Sequence, residues 1–327
     1  MKTRFSLSLG LTAIIGLGLS AVSADASGNI EMAVVAEQSG VQLLAAVPSP
    51  DTPVYYVALD GGYIEAGDPI ANENPPGAAA VAQALQRELA EVRYQPATGP
   101  ATPTLLFIYH WGLLCRDSHA SENGNTIDPN LHARLSLITT GSQDRAIETY
   151  ILDRELTGRI NPAFRSPLFL NFPERDALSL SHDDRYFVVL SAYDFRSVSQ
   201  RQPNLLWRVK MSTLGVGVSM ADALPTLLHG GAPFLGRNLS SFQDVRVPIV
   251  AAIPVGAANG AERFSPPLGD TGSLDPQFLR GLMKKEHDEF SGTHRYDKVA
   301  YDPIVVATST SAISSTPSPS PKQSQSL

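Results

Sequence analysis

Hydrophobic and polar positions alternate or recur along this chain in a way that sets out its elements. "PVYYVALDGGYIEAG" (53–67) is rich in Val, Tyr and Ile around a Gly-Gly break, and reads as a strand or a hairpin. "AAAVAQALQRELAEVRY" (78–94) places Val81, Leu85, Leu89 and Val92 at spacings of four, four and three, the apolar face of a helix. "QPATGPATP" stops that helix, and "PTLLFIYHWGLLCR" (103–116) follows. In the latter, Leu105, Phe107 and Tyr109 share one face of a strand, and Leu106, Ile108 and His110 share the other. Both faces are apolar until the end, so this strand is expected at the centre of a sheet, covered on both sides along most of its length.

Further on, "RDSHASENGNTIDPN" (116–130) reads as an exposed loop and "ARLSLITTG" (133–141) as a strand. "QDRAIETYILDREL" (143–156) has helical spacing, and "SHDDRY" (181–186) is a polar turn. "RYFVVLSAYDF" (185–195) and "NLLWRVKMST" (204–213) are strands joined by a hairpin loop, and Trp207 is expected in the same sheet as Phe107. "SMADALPTLLHGG" opens with Ser219 three before Asp222, a capping-box variant, and Pro225 must sit in an early turn or kink the helix. "DPQFLRGLMKKEHDEF" (275–290) begins with Asp at the cap and Pro at the first helical position, with Phe278, Leu279, Leu282 and Met283 as its face. These elements predict an α+β fold: a two-layer, mostly antiparallel sheet with helices packed on one face.

The ends of the chain are different in character. "MKTRFSLSLGLTAIIGLGLSAVSADASG" combines Lys2 and Arg4 with an apolar run from Phe5 to Leu19 and small residues at Ala24 and Ala26, the pattern of a signal peptide (1–24). Its apolar run of about 15 residues is shorter than the ~20 a spanning helix needs. Residues 25–52 read as a leader, with a short helix around Val34–Ala46. An α+β domain is expected over 53–250 and a Gly/Pro-rich extension with one helix over 251–306. The Ser/Thr/Pro tail 307–327 has too little apolar content to order itself.

Composition narrows the class. The 327 residues are 43% hydrophobic and 17% charged, enough for a sizeable core. The formal charge of −7 becomes −9 once Lys2 and Arg4 are removed, which argues against nucleic acid as a partner. The signal-peptide pattern places the mature chain outside the cytoplasm, periplasmic or extracellular, and because no later segment reaches membrane-spanning length it is expected to be soluble, with no membrane span. One cysteine, Cys115, cannot form an internal disulfide.

Two stretches carry a resemblance. One is the helix ending in "RELAEVRYQP", followed by "PTLLFIYH"; the other is "YFVVLSAYDF…NLLWRVKMST", followed by a helix. The arrangement resembles a group of bacterial exported proteins and lipoproteins of unknown function, with a "DLLVxYH"-like strand and a later "LVWRG"-like strand. It covers residues 53–238 in outline. The chain departs from the pattern in lacking the lipoprotein cysteine and in carrying about sixty extra residues between the two motifs. The resemblance implies an envelope location and a two-layer α+β fold, and no reaction.

Candidate chemistry is sparse. His110 and Cys115 are five apart, on opposite faces of a strand, so a strand end accounts for them better than a Cys-His hydrolase. "GDTGS" (269–273) matches the aspartic-protease loop, but occurs once and precedes a helix, so it reads as a turn. His287 and His294 are too far apart along the chain for a zinc helix, and a solvated charged face is expected there. No metal and no cofactor is expected. His110, Trp111, Trp207 and Arg208 remain as candidate binding residues. The expected function is a non-enzymatic cell-envelope binding or scaffold protein whose partner is an envelope component or small ligand. The alternatives are a secreted hydrolase with a site assembled from distant residues, and a purely structural protein. Deleting residues 307–327 should leave the melting temperature within about a degree, because so polar a segment buries little; calorimetry of the truncated chain checks this.

Overall fold

The computed structural model describes residues 28–39, 47–49, 52–117, 128, 130–141, 143, 147, 170–254, 267–269, 271 and 274–291. Residues 1–24 expected as a signal peptide, the tail 307–327, His294 and most of the expected 116–130 loop and 143–156 helix lie outside them; Gln143 and Ile147 are helical. The strands are β1 (Asn29–Gln38), β2 (Val54–Ala66), β3 (Tyr94–Pro96), β4 (Leu105–Leu114), β5 (Arg185–Asp194), β6 (Leu205–Leu214) and β7 (Gln243–Pro248). They form one seven-stranded sheet in the order β3-β2-β4-β5-β6-β1-β7. The helices are α1 (Ala78–Glu91), α2 (Leu131–Ile138), α3 (Phe172–Leu180), α4 (Phe195–Ser199), α5 (Met220–Gly231) and α6 (Pro276–Phe290).

The fold is α+β, but two expectations are corrected. The sheet is mixed: β2 runs parallel to both β3 and β4, while the remaining neighbours are antiparallel. The cause is the stretch 53–67, which is one 13-residue strand and not a hairpin. Its Gly-Gly break makes a bulge between Asp60 and Gly62 and does not turn the chain. The return to β4 then passes through α1, a crossover long enough for parallel pairing.

Helices also lie on both faces of the sheet. On one face α1 and α5 bury Val81, Leu85, Leu89, Leu224 and Leu227 against Leu105, Phe107, Tyr109 and Trp111. On the other, α2 and α3 cover Phe187 and Val189, and Leu279 and Leu282 of α6 cover Leu106 and Ile108. All ten residues of β4 are buried, as its two apolar faces require. The β4–β2 backbones meet closely at Gly112, where a Cβ would fall 1.9 Å from the Ile64 carbonyl oxygen.

Three further segments differ from their sequence reading. Residues 29–38, placed in the leader and partly in a short helix, are the strand β1 between β6 and β7. Of residues 133–141, read as a strand, 133–138 belong to α2. An eight-residue apolar run fits either periodicity. Here the fully buried Arg134 fixes the helical choice by tying α2 to neighbouring backbone, donating to the Cys115 carbonyl (2.7 Å) and the Ser181 carbonyl (2.6 Å). The presumed hairpin loop after β5 contains α4.

Two helix expectations hold. Ser219 caps α5, accepting from the Asp222 amide, and α6 starts at Pro276 behind the Asp275 cap. Pro225 lies within α5 and has no N–H for the Ala221 carbonyl; the Ile253 amide takes that acceptor at 3.1 Å. The proline thereby creates the docking point of the chain that follows β7.

Cys115 is buried on the α1/α5 face, and burial pushes its thiol up to about 12. It should therefore resist thiol reagents in the folded protein and react only on unfolding. Phe107→Ala should cost about 3–5 kcal/mol and Cys115→Ala about 1 kcal/mol in urea unfolding, the usual ranges for a buried aromatic and for a small cavity.

Candidate functional site

The apolar stripe of α6 contains an anomaly. Leu279, Leu282, Glu286 and Phe290 are its buried residues, so a carboxylate occupies a core position. An isolated buried charge is prohibitively costly, and its neighbours must supply counter-charge and donors. Three strands provide them from one face of the sheet: His110 from β4, Ser191 and Tyr193 from β5, and Arg208 from β6. The β5–β6 register sets Ser191 directly opposite Arg208.

Glu286 Oε1 accepts from the Tyr193 hydroxyl at 2.6 Å and from Arg208 Nη2 at 2.9 Å. Arg208 also donates through Nη1 to Glu289 (2.7 Å) and through Nε to the Ser191 hydroxyl oxygen (2.9 Å), and its guanidinium lies over the Phe290 ring. Glu286 Oε2 stands 3.6 Å from His110 Nε2, an ion-pair distance without a hydrogen bond. The His110 ring fits because position 61 is glycine: a Cβ there would lie 2.2 Å from its Cε1. The β2 bulge thus puts a residue with no side chain beneath the imidazole.

The electrostatics follow. Burial would raise the Glu286 carboxyl, but His110, Arg208 and the Tyr193 hydroxyl outweigh it and pull it down to about 2. Burial and the facing carboxylate push Tyr193 above its usual range, so it remains a donor. Burial opposes the charge on Arg208, and Glu286 and Glu289 more than restore it. The His110 and Glu286 side chains are 0% and 2% exposed. Its centre is closed to solvent, with Glu289 at the rim 44% exposed, and it fastens a helix to a sheet.

The four sequence candidates separate. His110 and Arg208 meet around Glu286, whereas Trp111 and Trp207 point to the opposite face. Trp207 packs there against Phe107 at 5.4 Å between ring centroids, and Trp111 packs against Tyr63 at 4.9 Å. Cys115 also lies on that face, so it makes no pair with His110. Glu286 and Tyr193 escaped the sequence reading. The available signal was a charged residue at the position seven after Leu279, inside the α6 stripe. His287 follows Glu286 on α6, with its ring centroid 6.1 Å from that of His110.

Of "GDTGS", Gly269 and Thr271 lie in a turn: Leu268 pairs with Ala58 of β2, and the Leu274 amide bonds the Thr271 carbonyl. The other three residues are outside the described set. In "SHDDRY", Asp184 accepts from the Arg116 amide at 2.7 Å, as a turn residue does. Among the described residues no group of three or more His, Cys, Asp or Glu side chains is placed to hold a metal ion. A shallow recess lined by Leu85, Leu89, Leu190, Met211 and Leu228 is apolar except for Glu88, whose carboxylate bonds His229 and Arg87.

No family model matches the chain, and no curated protein matches it. Among solved structures it is similar to a PDZ domain protein from Parabacteroides distasonis, at 10% identity and a TM-score of 0.30. The likeness covers 67% of this chain, which spans 39% of that protein's length. The described residues form an α+β domain on a mixed sheet, with a helix secured by a buried charge network.

Removing one member of that network should be expensive. Glu286→Ala should cost about 3–5 kcal/mol in urea unfolding, because it leaves Arg208 buried with half its counter-charge. Glu286→Gln should cost less, since its amide oxygen still accepts from Tyr193 and Arg208. The Glu286 carboxyl is depressed in the folded state, so its stabilisation is full above pH 4.5 and is lost as pH falls from there toward about 2. The midpoint denaturant concentration measured across that window should fall more steeply in the wild type than in Glu286→Gln.

Proposed function

We propose that this chain is an exported, non-enzymatic protein that binds or scaffolds a component of the cell envelope. One observation carries the non-catalytic part. The residues with the most chemistry, His110, Glu286, Arg208 and Tyr193, are committed to one another beneath α6 and offer no surface to a substrate. Catalysis needs a nucleophile or base within reach of a substrate atom; here the acid, the base and the cation are sealed in apolar packing. Export rests on the leader pattern and on the resemblance to exported envelope proteins. No helix among the described residues is long and apolar enough to cross a membrane.

The test is expression of the full chain in a Gram-negative host, followed by fractionation, N-terminal sequencing and co-sedimentation. The chain should be recovered outside the cytoplasm and begin near Asp25 or Ser27. The purified mature protein should co-sediment saturably with isolated envelope and not with protein-free lipid vesicles. A cytoplasmic chain still beginning at Met1 would refute export. Turnover of generic peptide, ester or glycoside substrates by the mature protein would replace the scaffold reading with a secreted hydrolase.

A further inference from the structure

We propose that α6 is an acid-released latch, operated by the two imidazoles of His110 and His287 facing each other across the seam between sheet and helix. Their ring centroids are 6.1 Å apart. His110 is wholly buried on β4, while the His287 side chain is 40% exposed at the edge of the same seam. The release does not depend on the export reading, and its test is independent of it.

The balance of charge around the pair sets the response. From α6 come Glu286, Asp288 and Glu289; from β6, Arg208; from β5, the Tyr193 hydroxyl; and α2, which packs on α6, carries the buried His132 and Arg134, the latter committed to Asp128 and to the Cys115 and Ser181 carbonyls. Strand β2 contributes only the Gly61 backbone, because alternation puts Asp60 on the face of Tyr56 and Ala58. Arg208 pairs with Glu286 and Glu289, and Lys284 pairs with Asp288 at 2.7 Å. Three carboxylates thus face two permanent cations. Glu286 Oε2, without a hydrogen bond, is the oxygen turned toward His110. A charge on His287 meets only Asp288, 3.9 Å from its Nδ1 and already paired with Lys284, and it is repelled by charge on His110.

The penalty falls on His287. Burial, and then the charge of His110, hold it below its ordinary 6.5. A base whose docked value is depressed favours the docked state while neutral. Undocked, it takes up its proton more readily, so α6 loosens as pH falls below about 6.5. Release would uncover Leu279 and Leu282 together with the strip Val57, Leu59, Leu106 and Ile108 that they cover. That strip forms a cluster separate from the larger core on the other face, so it can open without dismantling α1 or α5.

Hydrogen exchange of the full chain at about pH 7.5 and about pH 5, corrected for the intrinsic pH dependence of amide exchange, reads this directly. Protection of the 276–290 amides should fall about tenfold at the lower pH, while the 78–91 amides of α1 keep theirs. His287→Gln keeps the size and polarity of a half-exposed side chain and removes the second charge. In it the fall should shrink to less than about twofold. The proposal fails if the wild type shows no fall, if His287→Gln shows the same fall, or if α1 loses protection in parallel, since global acid unfolding would then explain the result. His110→Gln is a poorer probe, because the buried substitution can destabilise β4 by itself.

Discussion

The constraint on which the structure depends is that its central strands are apolar on both faces. β4 has no exposed residue, and β5 runs buried from Arg185 to Tyr193. A sheet of this kind cannot leave one side to water, so the chain must return helices to both faces. α1 and α5 cover one side; α2, α3 and α6 cover the other. The parallel β2–β4 pair follows from the same need, since the crossover between them delivers α1 to its face.

The two faces are covered by different physics. The α1/α5 face is a single continuous apolar cluster centred on Phe107, Trp207 and Tyr94. The opposite face is divided into two smaller clusters by a polar band along β5 and β6: Arg185, Ser191, Arg208, Lys210 and Ser212. Each cation in that band is tied down. Arg185 donates to Ser212, Lys210 donates to the Thr139 carbonyl and pairs with Glu37, and Arg208 reaches Glu286. Apolar packing is non-directional, whereas these bonds specify which helix sits where. A buried charge that finds only its own partner penalises every other arrangement, the role best attested for polar groups in cores.

That division gives the two faces different capacities for change. The continuous cluster can be opened only at the cost of the whole core. α6, by contrast, rests on a small apolar strip and a network of titratable groups, so its attachment answers to pH as well as to packing. Gly61 and the β2 bulge belong to the same design, because a side chain at that position would displace the imidazole on which the network closes.

Local order was legible in the sequence wherever one period dominated. The faces of β4, the start of α1, the extent of α6, the Ser219 and Asp275 caps and the presence of Trp207 in the same sheet as Phe107 all follow from spacing and capping chemistry. A short apolar run such as 133–141 has no period of its own, and only the contacts of Arg134 made it a helix. β1 was hidden for a different reason: its pairing partners, Trp207 to Thr213 and Gln243 to Pro248, are about two hundred residues away. The candidate site divides along the same line. Residue type and alternation marked His110 and Arg208, yet grouped them with two tryptophans that the sheet places on its other side. Their true companions, Glu286 and Tyr193, join them only through strand register and helix docking, because side chains far apart in sequence become neighbours when a sheet and a helix close over them.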